Sequence, residues 1–158
     1  MEKTAGDILR EKGGSMVTCT MQSTVRDAVS IMTANRVGAI LVLDQGRIVG
    51  IWTERDLLYR VLDPQFNVAI ELVSDHMTKQ LISANVRDLV VQLYDKFLGR
   101  RIRHLLIEDK GEYVGILAVG DVMQATLQQR AAEYKNLKEM VSLEYYENWK
   151  VQHDGARR

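Results

Sequence analysis

One segment of this chain occurs twice, and the two copies align without a gap. Residues 15–63 match residues 80–128 when the sequence is shifted by 65 positions. An internal repeat governs the architecture, because each copy forms one supersecondary unit that buries its apolar face on the other. The identical pairs are Val25/Val90, Arg36/Arg101, Leu41/Leu106, Asp44/Asp109, Gly46/Gly111, Val49/Val114, Gly50/Gly115, Ile51/Ile116, Asp56/Asp121 and Leu62/Leu127.

Each copy has the same order of predicted elements, which is strand, helix, hairpin and helix. "SMVTCT" predicts a strand, and "STVRDAVSIMTANR" predicts an amphipathic helix that Ser23 or Thr24 caps. "QLISAN" and "RDLVVQLYDKFLGRR" repeat this pattern, with Asp88 as the expected cap. The hairpins turn at "DQG" and "DKG", where glycine supplies the positive φ of a tight turn. "ERDLLYRVL" and "GDVMQATLQQ" close the copies as helices.

The repeat also predicts the fold class and the domain boundaries. A unit of about 50 residues buries too little surface to be stable alone, so we expect the two units to pack together. The fold is then α/β of the α+β type, a tandem pair in which each small β-sheet is flanked by helices and a pseudo-two-fold axis relates the units. The expected layout is a lead-in helix in 1–14, a first domain in 15–63, a linker with a second lead-in helix in 64–79, a second domain in 80–128, a C-terminal helix in 129–152 and a tail in 153–158.

Composition disfavours nucleic acid and membranes as partners. Basic and acidic residues number 21 each, so the formal net charge is zero, whereas a general nucleic-acid binder is basic. Cys19 is the single cysteine, which excludes an internal disulfide and fits a reducing compartment. The opening residues lack the apolar run of a signal peptide, and no apolar run is long enough to span a bilayer. These features predict a cytoplasmic protein.

The sequence contains no pattern typical of catalysis or of metal binding. It has no G-x-S-x-G, P-loop or H-E-x-x-H motif, and its one cysteine and three scattered histidines do not have the spacing of a zinc site. We therefore expect that the protein is not an enzyme, has no metal site and needs no obligatory cofactor.

The stretches "VGAILVLDQGRIVGIWTERD" and "RIRHLLIEDKGEYVGILAVGD" resemble cystathionine-β-synthase (CBS) domains. Together they resemble a CBS pair, or Bateman module, and the resemblance covers roughly residues 4–128, including the lead-in segments "AGDILREKG" and "VAIELVSDHMT". It implies a stand-alone CBS-pair protein. Members of this family commonly bind adenine nucleotides or related adenosyl ligands in clefts between the two units.

The resemblance also implies which residues contact the ligand. In the family, a hydroxyl residue at the end of the last strand contacts phosphate, and an aspartate three positions later binds the ribose hydroxyls. Thr53 and Asp56 match this motif, whereas the second copy keeps Asp121 but has Ala118 in place of the hydroxyl. Arg103 and His104 fall where some relatives carry basic phosphate-binding residues. The adenine would contact the first two strands at Val17, Thr18 and Ala39 in the first copy and at Ile82 and Ser83 in the second.

Elementary chemistry supports these roles and also leaves structural alternatives open. A carboxylate has two acceptor oxygens, which can take both hydroxyls of a vicinal diol, and free amides at a helix N-terminus attract phosphate. Asp56 and Asp121 could instead cap their helices, and Thr53 could be an ordinary β-branched strand residue. Arg103 and His104 could form a solvated strand end. Since the two copies differ at these positions, the two clefts should not be equivalent.

Two functions follow from this reading. The first is a regulatory protein that senses AMP, ATP, an NAD-like compound or S-adenosylmethionine and transmits occupancy to an unknown regulated partner. The second is a structural dimerisation or protein-interaction module whose clefts stay empty. In both cases we expect a homodimer with two-fold symmetry, the commonest closed arrangement.

Overall fold

A computed structural model describes the backbone of residues 2–154 and the side chains of residues 2–141, so residues 155–158 of the predicted tail lie outside the described residues. The chain divides into two compact units, Met1–Val119 and Gly120–Arg158, and the first holds both sheets. The elements are α1 (Ala5–Lys12), β1 (Thr18–Thr20), α2 (Val25–Asn35), β2 (Ala39–Asp44), β3 (Arg47–Thr53), α3 (Glu54–Arg60), α4 (Val73–His76), β4 (Ser83–Asn85), α5 (Val90–Arg100), β5 (His104–Asp109), β6 (Glu112–Ala118) and α6 (Val119–Asp154).

The two copies form two sheets of identical topology, which confirms the predicted fold class. In each sheet the first strand pairs in parallel with the second, and the second pairs antiparallel with the third, giving the orders β1-β2-β3 and β4-β5-β6. Four of the six residues of the central strand β2 and three of the six of the central strand β5 are buried. Each sheet therefore builds its core on a central strand that lies between a parallel and an antiparallel neighbour.

The two copies also share individual backbone dihedral angles and the position of a register shift. The antiparallel register shifts between Val42 and Leu43 in the first sheet and at the equivalent residues, Ile107 and Glu108, in the second. Helices α2 and α5 both end on a left-handed arginine, Arg36 and Arg101. Both residues of each hairpin turn have positive φ, 48° and 79° at Gln45-Gly46 and 52° and 86° at Lys110-Gly111. Positive φ at both positions is the geometry that matches the twist of an antiparallel hairpin.

The helix caps differ between the copies. Thr24, one of the two expected caps, closes a reciprocal box with Asp27 at the start of α2, and hydrogen bonds from Thr24 lower the pKa of Asp27. The prediction that Asp88 caps α5 is wrong. Helix α5 begins after Leu89, whose backbone N–H donates to Gln92 Oε1 at 2.7 Å. Asp88 instead accepts the Asn85 N–H at 3.1 Å, because it closes the turn that precedes the helix.

The closing helix of the second copy and the C-terminal helix form one element. α6 runs continuously for 36 residues, whereas the equivalent helix of the first copy, α3, has 7 residues. The first copy is followed by Pro64, which lacks the N–H that a helix needs. No proline follows the second copy, so nothing in the sequence ends that helix early.

Each lead-in helix packs on the other copy of the repeat. The backbone N–H groups of Ala5 and Gly6 in α1 donate to the carbonyls of Asp88 and Val86, each at 2.8 Å, in the second copy. α4 does the same for the first copy, where the Val73 N–H donates to the Ser23 carbonyl at 2.9 Å. This exchange ties the two sheets together, because neither copy is complete without a helix that lies outside it in sequence.

Two aligned glycines make room for the exchanged segments. A Cβ on Gly50 would lie 2.1 Å from Met77 Sδ, and a Cβ on Gly115 would lie 2.5 Å from Leu9 Cδ1. Both distances are shorter than real carbon contacts. Glycine at these two positions therefore permits the close packing of Met77 and Leu9.

We predict that Gly115→Ala lowers the free energy of unfolding by about 1–3 kcal/mol, because overpacking forces Leu9 and α1 off the second sheet. Gly99→Ala is the matched control, since a Cβ at Gly99 in α5 meets nothing within 4 Å and alanine favours a helix. Urea unfolding of both variants measures the difference. Equal stability of Gly115→Ala and the parent would contradict the exchanged packing.

Candidate functional site

A cleft of about 180 Å³ opens between the two copies, entirely within the first unit. Its apolar lining comes from β3, β5 and the segments that precede β4 and β5, namely Ile51, Leu81, Ile82, Ile102 and Leu106. Its polar lining is Thr53, Glu54, Arg55, Asp56, Thr78, Gln80, Arg103 and His104. The cleft thus combines an apolar floor with both carboxylates and cations, which suits a ligand that has a flat apolar part and a charged part.

Backbone pairing brings the linker into this cleft. Thr78 pairs with Ile51 of β3 through two hydrogen bonds, of 2.9 Å and 3.0 Å, so that the linker runs along the free edge of the first sheet. Further along, the Ile82 carbonyl accepts the Leu106 N–H at 3.1 Å and joins the linker to the second sheet. Residues 78–82 therefore span the two copies and form one wall of the cleft.

Thr53 and Asp56 form a closed capping box at the start of α3. Asp56 Oδ2 accepts the Thr53 backbone N–H and the Thr53 hydroxyl, each at 2.8 Å, and the Asp56 N–H points back to Thr53 Oγ1 at 3.4 Å. Asp56 therefore caps α3, which is the structural role that the sequence left open as an alternative to ligand binding. Asp56 Oδ1 has no hydrogen bond among the described residues, so one carboxylate oxygen remains able to accept from a ligand.

The amides at the start of α3 are mostly used within the protein. The Glu54 N–H donates to the Gly38 carbonyl at 3.0 Å, and the Asp56 N–H is part of the box. The expectation that free backbone amides bind phosphate is thus wrong for two of the first three amides of α3. The Thr53 hydroxyl proton is likewise committed to Asp56, so Thr53 can donate to a phosphate only after that bond is exchanged.

Arg103 and His104 lie at the N-terminal end of β5, near the residues that join β3 to α3 in the first copy. His104 pairs with Ala118 in the ladder of the second sheet, as the alignment of the copies implies. Both side chains nevertheless line the same cleft as Thr53 and Asp56. Arg103 reaches across the cleft to Glu54, with Nη1 and Oε1 3.3 Å apart. The structure therefore groups the hydroxyl and carboxylate of one copy with the basic residues of the other.

Apart from Ile82, the remaining predicted site residues do not line this cleft. Thr18 and Ala39 are ladder residues of the first sheet, and the Val17 carbonyl accepts the Leu41 N–H at 3.0 Å. Ser83 lines a neighbouring cavity with Lys96 and Arg100. Asp121 lies in the first turn of α6, in the second unit. Of the predicted base contacts, Ile82 lines the cleft described above.

Sequence reasoning missed two charged residues of this cleft, Glu54 and Arg55. Arg55 donates from Nη1 to the Arg101 carbonyl at 3.0 Å, so it satisfies the C-terminal end of α5 in the other copy. The signal was present in "TERD", where two charged residues separate the threonine from the aspartate. Their partners are in the second copy, and no pattern within the first copy indicates them.

Comparison with known proteins identifies the family. The CBS domain model matches residues 5–63 and 73–127, and the chain belongs to the CBS-domain family. It is 34% identical over 144 residues to the CBS domain-containing protein CBSX3, mitochondrial, of Arabidopsis thaliana, a match that covers 85% of this chain and 69% of that protein.

Two solved structures illustrate the likeness in fold. The CBS-domain containing protein ATU1752 from Agrobacterium tumefaciens is 32% identical, with a TM-score of 0.74 over 78% of this chain and 99% of its own. The CBS domain protein PAE2072 from Pyrobaculum aerophilum, complexed with AMP, has a TM-score of 0.66 over 75% of this chain and 88% of its own. At 24% identity, the latter supports the fold alone. No helix among the described residues is long and apolar enough to cross a membrane.

Proposed function

We propose that this chain is a regulatory CBS-pair protein that binds an adenosyl nucleotide in the cleft between its two copies and passes occupancy to a partner protein. One observation carries the proposal: Asp56, whose Oδ1 has no hydrogen bond among the described residues, lines the same cleft as Arg103, His104 and several apolar side chains. The AMP complex of the Pyrobaculum fold neighbour supports the class of ligand.

The proposed binding mode follows the polarity of the cleft. The adenine occupies the apolar part near Ile82 and Ile102, and the ribose hydroxyls donate to Asp56 Oδ1. Phosphate or another anionic group contacts Arg103 and His104 through charge-assisted hydrogen bonds. Thr53 keeps its bond to Asp56 in the empty state and holds the carboxylate in place for the ribose.

We propose that Val17, Thr18 and Ala39 of the first sheet belong to a second, different adenosyl site, that Asp121 binds a ribose, and that Ser83 lies near the base in the first cleft. Because Ala118 carries no hydroxyl and Gly38 and Ala39 carry no charge, such a site would bind the phosphate of a nucleotide more weakly. Neutral or cationic adenosyl compounds, including S-adenosylmethionine, fit that chemistry better than ATP or an NAD-like dinucleotide.

The proposed role is regulatory rather than catalytic. A ligand shifts such a protein between states only as far as its affinities for the two states differ. The cleft joins residues from both copies, so occupancy would act directly on their relative packing. We also propose a cytoplasmic location, since the single cysteine is buried and cannot form an internal disulfide. The Arabidopsis relative is named as mitochondrial, and fractionation would distinguish the two compartments.

The competing function, a dimerisation module with empty clefts, is favoured by the surface of α3 and of the two residues that follow it. Leu58, Tyr59, Val61 and Leu62 project 54–89% of their surface into solvent within one short segment. Contiguous exposed apolar surface of this kind is typical of protein–protein contacts. Since the regulatory role also requires a partner surface, the state of the cleft is what separates the two functions.

For ligand binding, we predict that AMP binds the parent and that Asp56→Ala weakens it about ten- to a hundredfold, because a hydrogen bond to a charged group contributes roughly 1.5–3 kcal/mol. The Arg103→Ala/His104→Ala double variant should weaken AMP far more than adenosine. Calorimetry with both compounds measures these changes.

The matched control is Asp27→Ala, which removes the same capping box from α2 without touching the cleft. It should lower stability and leave AMP affinity unchanged. If none of AMP, ATP, NAD and S-adenosylmethionine binds or raises the melting temperature of the parent, the dimerisation module is the better account. A bound ligand at about 100 times its Kd adds about 2.7 kcal/mol of stability, which a melting curve detects easily.

For assembly, we predict a homodimer of twice the 18.0 kDa chain mass that uses the exposed face of α3. Leu58→Asp should convert it to a monomer, because a buried charge without a partner disrupts an apolar interface. Ile70→Asp is the control, because Ile70 lies outside α3 and its exposed fraction of 70% is close to the 67% of Leu58. Light scattering at micromolar concentration that shows an 18.0 kDa particle for the parent would rule out this dimer.

A further inference from the structure

A carboxylate occupies the position where the proposed ligand's phosphate would bind. Glu54 Oε1 lies 3.3 Å from Arg103 Nη1, and both side chains line the cleft. Their exposed fractions are 62% and 56%, so the pair is solvated and can open at little cost. A phosphate that reaches Arg103 must therefore compete with Glu54 or share the guanidinium with it.

The backbone fixes Glu54 in this place. Its N–H donates to the Gly38 carbonyl at 3.0 Å, and a Cβ on Gly38 would lie 3.3 Å from its carboxylate carbon. The side chain thus rests against Gly38, the position that aligns with Arg103 in the second copy. Glu54 itself aligns with Val119, so this acid is present in the first copy alone.

The charges that line the cleft balance. Glu54 and Asp56 supply two negative charges, and Arg55 and Arg103 supply two positive ones. Arg55 is held at the Arg101 carbonyl, at the end of α5. His104 can add at most one further positive charge. The lining therefore offsets at most one negative charge of a ligand, and each additional phosphate adds repulsion with Glu54.

We propose that Glu54 is a specificity-determining residue, whose carboxylate on Arg103 limits the negative charge of the ligand that this cleft accepts. The cleft then prefers an adenosyl ligand with no phosphate or one phosphate over a nucleoside di- or triphosphate. This inference rests on the proposed function, because it assigns the ligand class within the same site. It adds a selecting role for a residue that neither binds the base nor contacts the ribose.

The test compares Glu54→Gln with the parent by calorimetry against adenosine, AMP, ADP and ATP, without divalent cations, at about 50 mM and 150 mM salt. Glutamine keeps the size of the side chain and removes its charge. In the parent, affinity should fall from AMP to ADP to ATP. Glu54→Gln should raise the AMP affinity about three- to tenfold, raise the ATP affinity by a larger factor and leave adenosine unchanged. These gains should shrink at the higher salt, because exposed charges are screened.

The matched control is Glu112→Gln, which removes the same charge from an exposed position at the start of β6, outside the cleft. It should reproduce the parent's affinities. If AMP binds the parent and Glu54→Gln leaves the ratio of AMP to ATP affinity within twofold of the parent's, this inference is overturned while the proposed function stands. If no adenosyl compound binds the parent or either variant, the proposed function fails and this inference fails with it.

Discussion

The exchange of the two lead-in helices is the contact on which the rest of the structure depends. α1 hydrogen-bonds to the second copy through Ala5 and Gly6, and α4 hydrogen-bonds to the first copy through Val73. Each copy alone would leave one side of its sheet uncovered. Because each segment completes the copy that it does not adjoin, both sheets and the walls of the cleft lie within one compact unit.

The cleft follows from that arrangement. The chain leaves α4 at Met77, pairs with β3 at Thr78 and reaches the second sheet at Ile82. This short crossing places the end of β3, with Thr53 and Asp56, opposite the start of β5, with Arg103 and His104. Ala118 pairs with His104 in the second sheet, but it does not line this cleft. Arg103 and His104 instead share the cleft with Thr53, the hydroxyl residue of the first copy.

The sequence predicted the local structural elements and the repeat that relates the two sheets. Turn glycines, apolar strands and helix periodicity identified both sheets and the hairpins. Asp88 was misread because a capping pattern does not show where a preceding turn ends. The grouping of Arg103 with Thr53 was out of reach for a related reason. An alignment of two copies shows which residues are equivalent, whereas the cleft is built from residues that are not equivalent and that face each other across the interface.

The most direct measurement of the central claim is a crystal structure of the protein with AMP. The account predicts one nucleotide in the cleft between the copies, its ribose hydroxyls within hydrogen-bond distance of Asp56 and its phosphate on Arg103, with the Arg103–Glu54 pair opened or shared. A nucleotide bound elsewhere, or ribose hydroxyls that leave Asp56 Oδ1 without a partner, would contradict it.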